Sequence, residues 1–94
     1  REVLALESKG HTIQICARDG RTDRAFHGRL DEWEEKLPEE FVRVHKSYIV
    51  NLNKIRDITP YGRWTYAARL EGIPQDALIT REKYDELERM FQQE

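Results

Sequence analysis

Apolar residues recur along this chain mostly at every second position, and at helical spacing in only two stretches. Glu2 to Glu7 sets Val3 and Ala5 against Leu4 and Leu6 with little polarity, which predicts a short buried strand. Ser8, Lys9 and Gly10 read as a turn, and His11 to Arg18 then alternates Ile13, Ile15 and Ala17 with Thr12, Gln14, Cys16 and Arg18, a half-buried strand. Asp19-Gly20 is a strong hairpin signal because both residues tolerate positive φ, so Arg21 to Phe26 should return antiparallel. Leu30, Trp33 and Leu37 fall at i, i+3 and i+7 among acids, an amphipathic helix that Pro38 ends.

Strand periodicity resumes at Phe41 to Val44, with His45-Lys46-Ser47 as a turn or bulge and Tyr48 to Asn51 as a further short strand. Asn51 and Asn53 bracket another turn, since their side chains can bond nearby backbone. Lys54 to Thr59 is extended again and is expected to break at Pro60-Tyr61-Gly62. Trp64 to Leu70 pairs back, Glu71-Gly72 closes it, and Ala77 to Ile79 is a last strand. Thr80 caps a helix from Arg81 to about Gln93, with Tyr84, Leu87 and Phe91 on its inner face. The expected fold class is mainly β with two short helices, in a single domain over residues 1–94.

Charge sharpens this picture. The net charge is −2, yet Phe41 to Arg56 carries Arg43, Lys46, Lys54 and Arg56 with no acid, a local +4. Residues 30–40 sum to −5 and residues 76–94 to −3, so the acids gather in the helices and the bases in the strands. A basic strip on an acidic chain calls for an anionic partner. Were both acidic helices packed on one side, they would leave a basic face elsewhere.

Little in the sequence points to catalysis. Cys16 lies mid-strand, where a thiol behaves as a small hydrophobe, and with no second cysteine it closes no disulfide within the chain. His11, His27 and His45 lack ligand spacing for zinc, and there is no glycine-rich phosphate loop. No enzyme, cofactor or metal is therefore expected. No apolar run nears the ~20 residues that span a bilayer, so a soluble, cytoplasmic protein is expected. The chain opens on Arg1 rather than Met, which reads as an excerpt from a longer regulator.

Four stretches then carry a family resemblance: LALESKGHTIQI, GRLDEWEEKLPEEFVRVHKSYIVNLNKI, the hairpin pair that follows, and ITREKYDEL. The spacing F-x-R-x-H-x-S-Y-I-V-N after a helix ending in EEKLP is the most specific of them. From about Val3 to Leu87 the chain resembles the LytTR family of bacterial DNA-binding domains, usually the output domains of response regulators in two-component systems. The resemblance implies an elongated stack of small antiparallel β-sheets that binds double-stranded promoter DNA through loops. It places the base-reading side chains at His11, Lys46 and Arg81. It also implies an upstream receiver or sensor domain. A 94-residue module with three reading loops would bind only modestly alone, so paired copies, a homodimer on repeated DNA sites, are expected.

The chemistry suits those positions. Arg81 can present two parallel N–H groups to a guanine, Lys46 is a pure donor, and His11 donates in either protonation state. Lys9, Arg43 and Lys54 complete the candidate DNA-binding set. Lys9 and Lys54, like Arg18 and Arg21, are weighed as solvated cations against phosphate contacts. Arg43 is weighed as the partner of an internal carboxylate against a phosphate contact. His45 and Asn51 are expected to bond backbone in turns. Tyr48, Trp33, Trp64, Tyr66 and Phe91 are expected in the core rather than as stacking platforms. Glu82 directly follows Arg81 and would oppose a nearby phosphate. Two functions remain open: sequence-specific DNA binding, and a protein-interaction or regulatory module on the same fold that has lost it.

Overall fold

Two antiparallel sheets share one core in the computed structural model, which describes residues 3–17, 22–72 and 76–92. In chain order the elements are β1 (Val3–Lys9), β2 (Thr12–Ala17), β3 (Thr22–His27), α1 (Leu30–Lys36), β4 (Phe41–His45), β5 (Tyr48–Asn51), a 3-10 turn (Leu52–Lys54), β6 (Ile55–Gly62), β7 (Thr65–Leu70), β8 (Asp76–Thr80) and α2 (Arg81–Gln92). The first sheet has the order β3-β2-β1-β5-β4 and the second β6-β7-β8. The mainly-β class with two helices is as the periodicity predicts. The long axis is 35 Å against 26 and 25 Å across.

The five-stranded sheet is covered on both faces, and successive residues divide between them because side chains alternate along a strand. Leu6, Ile13 and Ile49 join Leu30 of α1, with Trp33 and Leu37 packed alongside. Ala5, Cys16, Val44 and Val50 face the other way and meet Ala68, Leu70, Ala77 and Ile79 of the second sheet and Leu87 of α2. The two acidic helices thus sit on opposite faces of the sheet, not on one side. What selects this is that Ile49 and Val50 are both fully buried, so each face of β5 needs its own cover.

Local chemistry sets the element ends. The Arg29 N–H donates to the Glu32 carboxylate over 3.2 Å at the start of α1. Thr80 Oγ1 accepts from the Lys83 N–H over 3.2 Å and caps α2, as expected. The Asn51 side-chain oxygen accepts from the Asn53 N–H over 3.0 Å, which closes the turn those two residues were expected to bracket. Cys16 is buried, and burial pushes its thiol pKa up, in keeping with a packing role.

The expected break at Pro60-Tyr61-Gly62 is only a shift of register between Pro60 and Gly62, not the end of the strand. β6 runs through all three, with Pro60 opposite Tyr66 and Gly62 opposite Thr65, and the chain turns at Arg63-Trp64 instead. Proline is tolerated because β6 is an edge strand, where one side of the backbone needs no partner. The Asp19-Gly20 turn, with Arg18 and Arg21, and the side chain of Phe91 lie outside the described residues. The antiparallel pairing of β2 with β3 is the return that this turn predicts.

Candidate nucleic-acid interface

The strand order brings three chain connections to one end of the five-stranded sheet. β1 ends at Lys9 and turns through Gly10 and His11 into β2. Gly10 has φ +63°, a left-handed conformation that glycine adopts without steric cost. β5 pairs antiparallel with β1, Glu7 opposite Tyr48, so the turn from β4 into β5 comes up beside the turn from β1 into β2. β3 pairs His27 with Thr12, which delivers Gly28 and Arg29 to the same end. Two backbone bonds tie the connections together. The Ser8 N–H donates to the Ser47 carbonyl over 2.8 Å, and the Gly28 N–H donates to the His11 carbonyl over 3.1 Å.

An open concavity of about 420 Å³ lies between these turns, with Gly10, His11, Arg29, Arg43 and Lys46 among its lining residues. His11 and Lys46 are exposed there, and Lys9, at the end of β1, is exposed as well. His11 and Lys46, far apart in sequence, are therefore neighbours on one rim. Arg29 was not singled out by sequence. Its side chain is exposed and 3.5 Å from Asp31. The only sequence signal for it is its place between a strand-end glycine and an amphipathic helix.

Arg43 turns inward beneath this rim. Its Nε donates to the His45 carbonyl over 2.9 Å and Nη2 to the Lys46 carbonyl over 2.8 Å. Nη1 donates to Asp31 over 2.8 Å and to Glu34 over 3.2 Å. This hydrogen bond and the guanidinium charge hold the Asp31 carboxyl below its ordinary 3.8. Of the two roles weighed for Arg43, the internal carboxylate partner is the one these bonds make.

His45 bonds backbone as expected. Its Nδ1 accepts from the Ser47 N–H over 3.1 Å, which requires that nitrogen to be unprotonated. Burial, then the charges of Lys46 and Arg43, depress its pKa from 6.5. Tyr48 packs against the main core and donates its hydroxyl to Glu7 over 3.1 Å. Burial, then the Glu7 charge, pushes the phenol up to about 12.

Arg81 belongs to a second place, at the end of the three-stranded sheet. β8 leads straight into α2, and Thr80 pairs with Thr65, so the first residue of α2 stands beside the turn between β6 and β7. The Arg81 N–H donates to the Trp64 carbonyl over 3.1 Å, and its guanidinium carbon lies 5.3 Å from the centroid of the Trp64 ring. Trp64 is 61% exposed and Tyr61 beside it 69%. Trp64 is thus not in the core as expected, because the strand begins one residue later and leaves the indole on the turn. Tyr66 and Trp33 do pack against core clusters, and Tyr66 stacks on Tyr84 with centroids 3.9 Å apart. Glu82 and Asp85 line the same concavity as Arg81 and Trp64.

Lys54 stands apart from both places. It ends the 3-10 turn after β5, at the far end of that strand from Lys46, and its carbonyl accepts from the Glu71 N–H over 2.9 Å. Among the described residues no group of His, Cys, Asp and Glu could hold a metal ion, and no helix is long and apolar enough to cross a membrane.

Two sheets packed through β4, β5 and β8, with cations on turns at the sheet ends, agree with the resemblance read from the sequence. A model of the LytTr DNA-binding domain matches residues 1–92, and the chain belongs to that family. Its relatives include the transcriptional regulatory protein YpdB of Escherichia coli K12, 39% identical over 63 residues, which are 66% of this chain and 26% of YpdB. The transcriptional regulatory protein NatR of Bacillus subtilis is 29% identical over 88 residues, 90% of this chain and 36% of NatR. The chain thus spans about a quarter to a third of these regulators. A LytTr DNA-binding domain structure from Bacillus cereus has the same fold, with a TM-score of 0.76 at 24% identity, over 96% of this chain and 81% of that one.

Proposed function

We propose that this domain reads double-stranded DNA sequence-specifically as the output module of a bacterial transcription regulator, acting in the cytoplasm. The observation that carries the reading is the pairing of the two turns at one sheet end, which sets His11 and Lys46 side by side on an exposed rim. Arg81 supplies a second contact from the end of the other sheet. Lys46 and Arg81 donate to base acceptors in successive major grooves, His11 donates to a base or phosphate, and Lys9 contacts phosphate nearby. One 94-residue module reads little DNA, so paired copies on repeated sites and an upstream receiver or sensor domain complete the proposal.

A second reading is a protein-interaction module on the same fold, favoured by the acids Glu82 and Asp85 around Arg81. Selection from a random double-stranded DNA pool at near-physiological salt separates the two. Enrichment of a repeated short motif is the expected result. Retention without enrichment would reduce the function to backbone binding, and no retention would favour the interaction module.

A further inference from the structure

Arg43 lies within the basic strip, where its charge suggests a phosphate contact, yet its bonds point elsewhere. Nε, Nη1 and Nη2 are all engaged within the domain. The side chain is only 22% exposed. Its charge is also spent. Asp31 and Glu34 both contact Nη1, and Arg29 approaches the same Asp31, so two guanidinium groups face two carboxylates and the group is neutral. A phosphate arriving here would gain little from a cation already neutralised and would have to displace short charge-assisted bonds.

What those bonds do hold is the turn. The His45 and Lys46 carbonyls both accept from the guanidinium, His45 Nδ1 accepts from the next amide, and the Ser47 carbonyl accepts from Ser8. The backbone on either side of the Lys46 Cα is thereby fixed, and α1 is tied to the turn through Asp31 and Glu34. We infer that Arg43 is a positioning residue, which fixes the turn that presents Lys46 and thereby sets base discrimination without contacting DNA. The inference deepens the DNA-binding reading and rests on it for its functional half.

Lysine is the informative replacement, because it keeps the charge but cannot span two carbonyls and two carboxylates with one nitrogen. Amide hydrogen exchange of the free domain tests the turn without DNA. Arg43→Lys should speed exchange at the Ser47 and Ser8 amides by about tenfold or more, as expected where local opening becomes easier. On the selected DNA, the ratio of affinities for the motif and a one-base variant should fall about tenfold, while the slope of log affinity against log salt stays unchanged.

Unchanged exchange and discrimination in Arg43→Lys, with a salt slope reduced by about one in Arg43→Gln, would overturn the inference in favour of a phosphate contact. If the domain retains no DNA, the DNA-binding reading fails and the exchange result alone decides whether Arg43 holds the turn. Should Arg43→Lys not fold, Asp31→Asn replaces it. Asp31 is exposed, and its loss should speed Ser47 exchange a few-fold, whereas no change there would overturn the coupling.

Discussion

The Ser8 N–H donates to the Ser47 carbonyl over 2.8 Å, and this one bond joins the strand end before His11 to the turn that carries Lys46. The two residues are neighbours because β5 inserts beside β1, with β4 outside it. A sheet laid down in chain order would have put β4 beside β3 and left β1 at the edge. Lys46 is exposed and its side chain can be removed at little cost to folding. Lys46→Ala should leave the thermal midpoint within about 2 °C of wild type while affinity for the selected motif falls about tenfold or more, the loss expected for one base-reading side chain. Binding unchanged in this variant would remove Lys46 from the reading set.

The Trp64 ring lies under Arg81, and such a cation–π contact at an exposed site is worth about 0.5–1 kcal/mol. Trp64→Leu should therefore lower affinity for the selected motif by a few-fold, and Trp64→Phe should recover part of the loss because it keeps an aromatic face. Competition titration on the same DNA separates the three proteins. Equal affinity for Leu and Phe would mean that the ring does not orient the guanidinium.

His45 makes stability depend on pH in a predictable direction. Its folded pKa is depressed, so between that value and 6.5 the unfolded chain binds more protons than the folded one. The stabilising contribution is complete above 6.5 and is lost as pH falls through the folded value. Denaturant midpoints should decline from pH 7.5 towards acid, and His45→Gln should flatten that decline relative to wild type. An equal slope in both proteins would assign the acid sensitivity to other groups.

Leu87 is the one residue of α2 with a fully buried side chain in the main core cluster among the described residues. Replacing it by alanine removes most of a side chain and leaves a cavity between α2 and the sheets, at a cost of about 2–5 kcal/mol. Urea unfolding of Leu87→Ala should show this as a lower midpoint with little change in slope. A loss under about 1 kcal/mol would mean that α2 is held by its cap and Tyr84 instead.

Much of this architecture was legible because period and burial agree. Leu4, Ala5 and Leu6 are all buried as their unbroken apolar run predicts, and α1 follows the spacing of Leu30, Trp33 and Leu37. The turn at Lys46 and the caps at Asn51 and Thr80 follow from side chains that bond backbone within three residues. Trp64 departs from its expected place in the core for the opposite reason. Its hydrophobicity argues for the core, but the register of β6 with β7 places it on the turn, and proline on an edge strand gives no local sign of this.

By itself the sequence determined the local elements, the family and the positions of the basic side chains, because each depends on spacing within a few residues or on a motif read directly. The tertiary structure decided which of those side chains act together. Strand order set His11 beside Lys46 and left Lys54 at the other end of β5. It folded Asp31 and Glu34 against Arg43, converting a cation of the basic strip into an internal brace. Such pairings join residues distant in sequence through sheet register and packing. No periodicity or local charge count contains that information.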